Sequence, residues 1–121
     1  MIGVGTDVVD LDRFRTALER TPNLVPRLFT EAERALADGR RDPVPTLAAR
    51  FAAKEALMKV LGVGLGAIDW HDVEVAREDS GRPRLIVTGR AAALAEEAGV
   101  TGWHLSLSHS DLVAIAVVAA D

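Results

Sequence analysis

The chain has 121 residues, 49% of them hydrophobic, with no cysteine and a formal net charge of −4 at pH 7. That length predicts one domain spanning 1–121, able to bury about two thirds of its unfolded surface, and the missing thiols exclude disulfides, thiolate metal sites and a thiol nucleophile, so any metal must sit on oxygen or imidazole ligands. The acidic balance argues against nucleic acid as a partner, while no apolar run reaches the roughly 18 residues of a membrane span and the N-terminus lacks a basic region followed by an apolar stretch, so the expectation is a cytoplasmic protein without membrane contact.

From Ile2 to Val9 the residues alternate with the period of a strand, Ile2, Val4, Thr6 and Val8 on one face and Gly3, Gly5, Asp7 and Val9 on the other. Asp7 thus shares its face with two glycines, which let another backbone or a ligand come close; a strand-end Asp is also a common helix cap or turn residue. Asp10 or Asp12 can cap a first helix through Phe14, Ala17 and Leu18 that Thr21-Pro22 ends. Asn23 to Leu28 forms one more helical turn. Thr30-Glu31-Ala32-Glu33 has the form of a capping box opening a short helix that Gly39 closes. Between Arg13 and Phe29 the arginines 13, 15, 20 and 27 face the single acid Glu19, a local excess of three positive charges. Such a patch on an acidic protein can steer an acidic partner, or simply be a solvated helix face.

Arg40 to Pro45 reads as the least structured stretch, after which Thr46 caps a central helix, Leu47 to Leu61, stopped by Gly62. At roughly 100° per residue, Ala53, Leu57, Val60 and Leu61 form one apolar arc and Phe51 and Met58 another, with charges between them. Arg50 and Lys54 fall beside Leu57 and Leu61, and Glu55 and Lys59 are i,i+4 neighbours on the far side. A surface helix sorts its charges onto one solvent arc, so this pattern predicts contact on more than one side, with Glu55 and Lys59 presented to something other than bulk water; a solvated ion pair is the alternative.

Gly62-Val63-Gly64-Leu65-Gly66 follows a helix, the reverse of the strand-then-helix order a dinucleotide fingerprint requires. The loop can bring backbone N–H groups to a phosphate or serve as a flexible helix stop. No phosphate-binding lysine-serine pair, zinc-binding H-E-x-x-H or nucleophile elbow is present. Val73 to Ala76 and Leu85 to Val87 predict a hairpin turning at Asp79-Ser80-Gly81, with Pro83 at its margin. Gly89 to Ala98 predicts a short helix ended by Gly99. Trp103 to His109 and Leu112 to Ala120 predict two further strands. The fold class is therefore α+β, helices packed on a largely antiparallel sheet. His109 shares a strand face with Leu105 and Leu107, which predicts a buried histidine pointing into packed surface.

Three segments together resemble the holo-(acyl-carrier-protein) synthase family of phosphopantetheinyl transferases: Gly3-Val4-Gly5-Thr6-Asp7-Val8, Arg50-Phe51-Ala52-Ala53-Lys54-Glu55-Ala56 with Lys59, and Leu105-Ser106-Leu107-Ser108-His109-Ser110. Each is short, but their order and separation are specific, and the resemblance covers essentially the whole chain. It implies transfer of the phosphopantetheine arm of coenzyme A to a serine of an apo acyl carrier protein with release of adenosine 3′,5′-bisphosphate. It also implies magnesium and a homotrimer with sites between subunits. By matching positions, Asp7 and Glu55 correspond to metal-binding carboxylates, Glu55 and Lys59 to catalytic groups with Lys59 on the pyrophosphate, and Arg50 and His109 to contacts with the nucleotide and its 3′-phosphate. Gly62 and Gly64 fall in the cofactor-binding loop. Arg13, with Arg20, corresponds to the carrier-protein contact. Magnesium is commonly held by one or two carboxylates plus substrate phosphates, and displacement at phosphorus asks chiefly for positioning and charge neutralisation, so the residue types suit the chemistry. A coenzyme A or nucleotide-binding module without catalysis and a magnesium-dependent phosphohydrolase are the alternatives.

Overall fold

In a computed structural model that describes residues 1–121, the chain runs β1 (Gly3–Asp10), α1 (Leu11–Arg20), α2 (Leu24–Leu28), α3 (Glu31–Asp38), α4 (Val44–Leu61), a 3-10 turn at Trp70–Asp72, β2 (Val73–Arg77), β3 (Pro83–Val87), α5 (Gly89–Glu97), β4 (Trp103–His109) and β5 (Val113–Ala120). The architecture is α+β. Strands β1, β5 and β4 form a three-stranded sheet in that order, and β2 and β3 a separate hairpin; every pairing is antiparallel.

Local chemistry explains most boundaries. Asp10 is the cap of α1, its carboxylate accepting from the Arg13 amide at 2.9 Å. Thr30 and Glu33 form the expected reciprocal box at the start of α3. Gly62, at φ +69°, closes α4 in the left-handed conformation that favours glycine. The start of α4 differs from expectation. The helix begins at Val44, not at a Thr46 cap, because a proline is tolerated in a first turn where its missing N–H has no helical partner. Asp42 accepts from the Val44 amide at 3.1 Å and clamps the Arg15 guanidinium at 3.1 and 2.7 Å, so the polar stretch before the helix is tied to α1.

Helix α4 lies across one face of the three-stranded sheet and is buried nearly all round, Ala48, Ala52, Ala53, Ala56 and Leu57 being fully enclosed. Small residues let the layers approach closely. From the sheet, Gly5, Val9, Ala114, Ala116 and Val118 meet the helix, and a Cβ on Gly5 would fall 2.2 Å from the Ala56 carbonyl oxygen. Gly5 is thus where strand and helix backbones touch. Truncating Leu57 to alanine in such a layer costs about 2–5 kcal/mol. The opposite sheet face is different in kind: Val4 and Val8 are 61% and 59% exposed and Val117 is 40% exposed.

Candidate active site

Asp7 and, from far along the chain, Glu55 and Lys59 converge where β1 crosses α4. The close approach at Gly5 brings the next residue on the same strand face, Asp7, beside the last turns of α4. There Lys59 donates to the Asp7 carboxylate at 3.1 Å and to the Thr6 carbonyl at 2.8 Å. Asp7 is largely enclosed, its side chain 14% exposed, whereas that of Lys59 is 55% exposed. Glu55, one turn before Lys59, is half-buried. Burial first, and then the nearby Asp7 charge, pushes its carboxyl above the ordinary range, with Lys59 pulling the other way. Of the two residues expected to face something other than bulk water, Glu55 is half-buried, and Lys59 is exposed but paired with Asp7.

Asp7 and Glu55 lie on the wall of a cavity of about 1140 Å³. Aromatic side chains supply much of its apolar lining: Phe14 packs on Phe51 at 5.4 Å between centroids, and Phe51, one helical turn before Glu55, stacks on Trp70 at 5.4 Å and 30°. Arg13 and Arg27 stand at this cavity and are exposed. Arg20 is exposed at the end of α1 and does not line it.

Arg50 and His109 meet elsewhere. They line a second cavity of about 300 Å³ with Arg40 and Arg77. Arg50 is 7% exposed, its Nε has no hydrogen-bond partner, and its one bond to protein runs from Nη1 to the Thr46 carbonyl at 3.3 Å. Burial disfavours its cationic form, the Glu33 charge favours it, and those of Arg40 and Arg77 oppose it again, with the net effect downward; no carboxylate forms an ion pair with it. Such an arrangement suits an anion. His109 corrects the sequence expectation. It does share its strand face with Leu105 and Leu107, but it is exposed, because it is the last residue of β4 and its pairing partner there is only the small Ala114. Gly62 and Gly64 line neither cavity, and a Cβ on either would meet nothing within 4 Å.

Sequence reasoning missed His71 and the 3-10 turn that carries it to the first cavity, where its Nε2 is 2.8 Å from the Pro26 carbonyl. It also missed the burial of Lys54, which is paired with Glu33 at 2.7 Å. Charges lying between two apolar arcs were the available signal, though they name no partner.

The sequence pattern of the 4′-phosphopantetheinyl transferase superfamily matches residues 3–118. The chain belongs to that superfamily. It is 59% identical over 121 residues to a holo-(acyl-carrier-protein) synthase of Streptomyces avermitilis, covering 100% of this chain and 98% of that one. Among solved structures, the holo-(acyl-carrier-protein) synthase of Neisseria meningitidis superposes with a TM-score of 0.90 at 30% identity, covering 100% of this chain and 98% of that one. That of Bacillus anthracis, determined in complex with CoA (3′,5′-ADP), gives a TM-score of 0.82 at 34% identity over 98% of this chain and 95% of that one. The chain is thereby established as a transferase of this family with an α+β fold.

Proposed function

We propose that this transferase works through two groups of residues: Asp7, Glu55 and Lys59 around the reacting phosphate, and Arg50 with His109 around the nucleotide end of the donor. The reaction is the family's own, moving the phosphopantetheine arm of coenzyme A to a serine hydroxyl of an apo acyl carrier protein and leaving adenosine 3′,5′-bisphosphate. The observation that carries the residue assignment is the Asp7–Glu55 pair, two carboxylates close enough for one to raise the other's proton affinity, on the wall of a large cavity.

Two like charges held together beside a cavity are stabilised by a cation, and hard oxygen donors of this kind fit magnesium. Asp7 and Glu55 would hold it, and its part would be to neutralise charge on the pyrophosphate. The protein's own groups do the rest. Lys59, fixed through the Thr6 carbonyl and Asp7, presents its third donor to a phosphoryl oxygen. Glu55, a half-buried carboxylate on the cavity wall, is placed to act as base for the serine hydroxyl. Arg50, buried and without an anionic partner, gives the donor's 3′-phosphate a preorganised charge, and the backbone around Gly62 and Gly64 has room for phosphate. Arg13 and Arg20 form the surface that meets the acidic carrier.

The assembly belongs to the same proposal. Asp7 and Glu55 line one cavity and Arg50 and His109 another, while the outer sheet face presents exposed Ile2, Val4, Val8 and Val117. A homotrimer packed through that face would cover the apolar residues and bring the phosphate groups of one copy to the nucleotide groups of the next. No helix of the chain is long and apolar enough to cross a membrane, and the proposed setting is the cytoplasm.

Mass spectrometry of an apo carrier protein incubated with coenzyme A and this protein, with and without magnesium, tests the proposal. A pantetheine-arm adduct on serine that requires magnesium is expected. Release of adenosine bisphosphate without an adduct, or neither product, would overturn it.

A further inference from the structure

Lys54 stands next to Glu55 in the chain but does not line the cavity; its ammonium is fully buried on another side of α4. All three of its donors are used. They go to the Glu33 carboxylate at 2.7 Å, the Trp70 carbonyl at 3.0 Å and the Val73 carbonyl. Two of these acceptors belong to the 3-10 turn and the start of β2. Glu33 is itself held, accepting from the Thr30 amide with one oxygen and from the Val75 amide with the other, each at 2.9 Å. The turn that Lys54 grips carries Trp70, stacked on Phe51, and His71, bonded to the Pro26 carbonyl. Phe51, Trp70, His71 and Pro26 all line the cavity that Asp7 and Glu55 face.

We infer that Lys54 is a positioning residue of the transferase, its buried ammonium fixing the Trp70–His71 turn against α4 and so setting where Trp70 and His71 stand in the cavity that Asp7 and Glu55 also line. An ion pair kept only for stability could sit anywhere in the core. A buried pair is weak evidence of stabilisation in any case, because desolvation offsets its attraction. This one donates to two backbone carbonyls of the segment that carries Trp70 and His71, and positioning effects of about tenfold or more follow from displacements near 1 Å.

The inference rests on the proposed use of the cavity by coenzyme A, and the test separates the two. In a Trp103→Phe background Trp70 is the only tryptophan. Acrylamide quenching of its fluorescence and transfer kinetics are measured on the trimer-competent full chain for Glu33→Gln and for Glu33→Gln combined with Lys54→Met, which leaves no lone buried charge. Glu33→Gln, which keeps both Lys54–carbonyl bonds, is expected to lower stability yet leave quenching and the KM for coenzyme A near those of the parent. The double variant is expected to expose Trp70 to quencher and raise that KM about tenfold, with kcat little changed. A folded double variant with unchanged quenching or unchanged KM overturns the inference. Hydrogen exchange of the unsubstituted protein gives a check that needs no variant: the Asp72 and Val73 amides should exchange as slowly as the middle of α4, and exchange as fast as the 62–67 loop overturns it. If the parent itself transfers nothing, the function proposal fails, while quenching and exchange still decide whether Lys54 pins the turn.

Discussion

Lys59 and Asp7 are 52 positions apart in the chain and 3.1 Å apart in space, joined where β1 crosses the last turns of α4. The contact exists because Gly5, one residue pair earlier on the strand, lets the two backbones touch. Gly5→Ala would place its Cβ 2.2 Å from the Ala56 carbonyl oxygen, against backbone that cannot swing aside. The variant should lose about 1–3 kcal/mol of stability. It should also lose transfer activity beyond that, since Asp7 moves with the strand. Urea unfolding and transfer rates measured on the folded fraction check this; unchanged stability would mean the layers are not in contact there.

Glu55→Gln and Asp7→Asn should each abolish transfer while leaving the fold intact, because both keep shape and remove the charge a hard cation needs. For Glu55 the sign of the stability change follows from its raised proton affinity. The folded state holds that proton more tightly than the unfolded chain, so the contribution is present in acid and is lost as pH rises through the ordinary carboxylate range to the raised folded value. At neutral pH Glu55→Gln should therefore melt no lower than the parent, and the difference should close in mild acid. Magnesium should raise the melting temperature of the parent more than that of either variant. A Glu55→Gln protein clearly less stable at neutral pH would contradict the burial argument.

Arg13 is exposed at the edge of the first cavity. Arg13→Glu should raise the KM for the carrier protein about tenfold while changing that for coenzyme A far less, and the gap should narrow at high salt as steering is screened. Equal losses for both substrates would place Arg13 in the donor site.

Glu55 and His109 line separate cavities of one chain. Glu55→Gln and His109→Ala, each impaired alone, should partly complement when co-expressed, because some mixed trimers contain a site with both groups intact. Differently tagged mixed species, purified and verified by native mass spectrometry, should exceed either parent. Mixed trimers no more active than their parents, or a monomeric parent protein, would refute the shared site.

What was legible in the sequence was what is decided locally. The α1 cap, which fell to Asp10 of the two candidates Asp10 and Asp12, the Thr30–Glu33 box, the Gly62 stop and the β2–β3 hairpin each depend on residues within a few positions. The start of α4 was misjudged because Pro43-Val44-Pro45 carries the residues of a breaker and, in fact, of a first turn. His109 was misjudged because strand alternation reports a face but not how far the layer above it extends. Lys54 finds Glu33 21 positions upstream, a pairing no periodicity encodes. The site shows the same division: the motifs pointed to Asp7, Glu55 and Lys59, whereas the turn bearing Trp70 and His71 reaches the cavity through contacts made only in three dimensions.

Helix α4 carries Arg50 to one cavity, Glu55 to the other, and Lys59 to Asp7. At about 1.5 Å per residue, Arg50 and Lys59 are separated by roughly 14 Å along its axis, and the helix is enclosed too tightly to slide or bend. It therefore works as a ruler whose graduations are peptide units. Inserting or deleting one residue between 50 and 59 would turn everything beyond it by about 100°, detaching Lys59 from Asp7 at a stroke. Length changes in the lineage of this chain should accordingly collect at 39–43 and 62–67, outside the marked part of the rule.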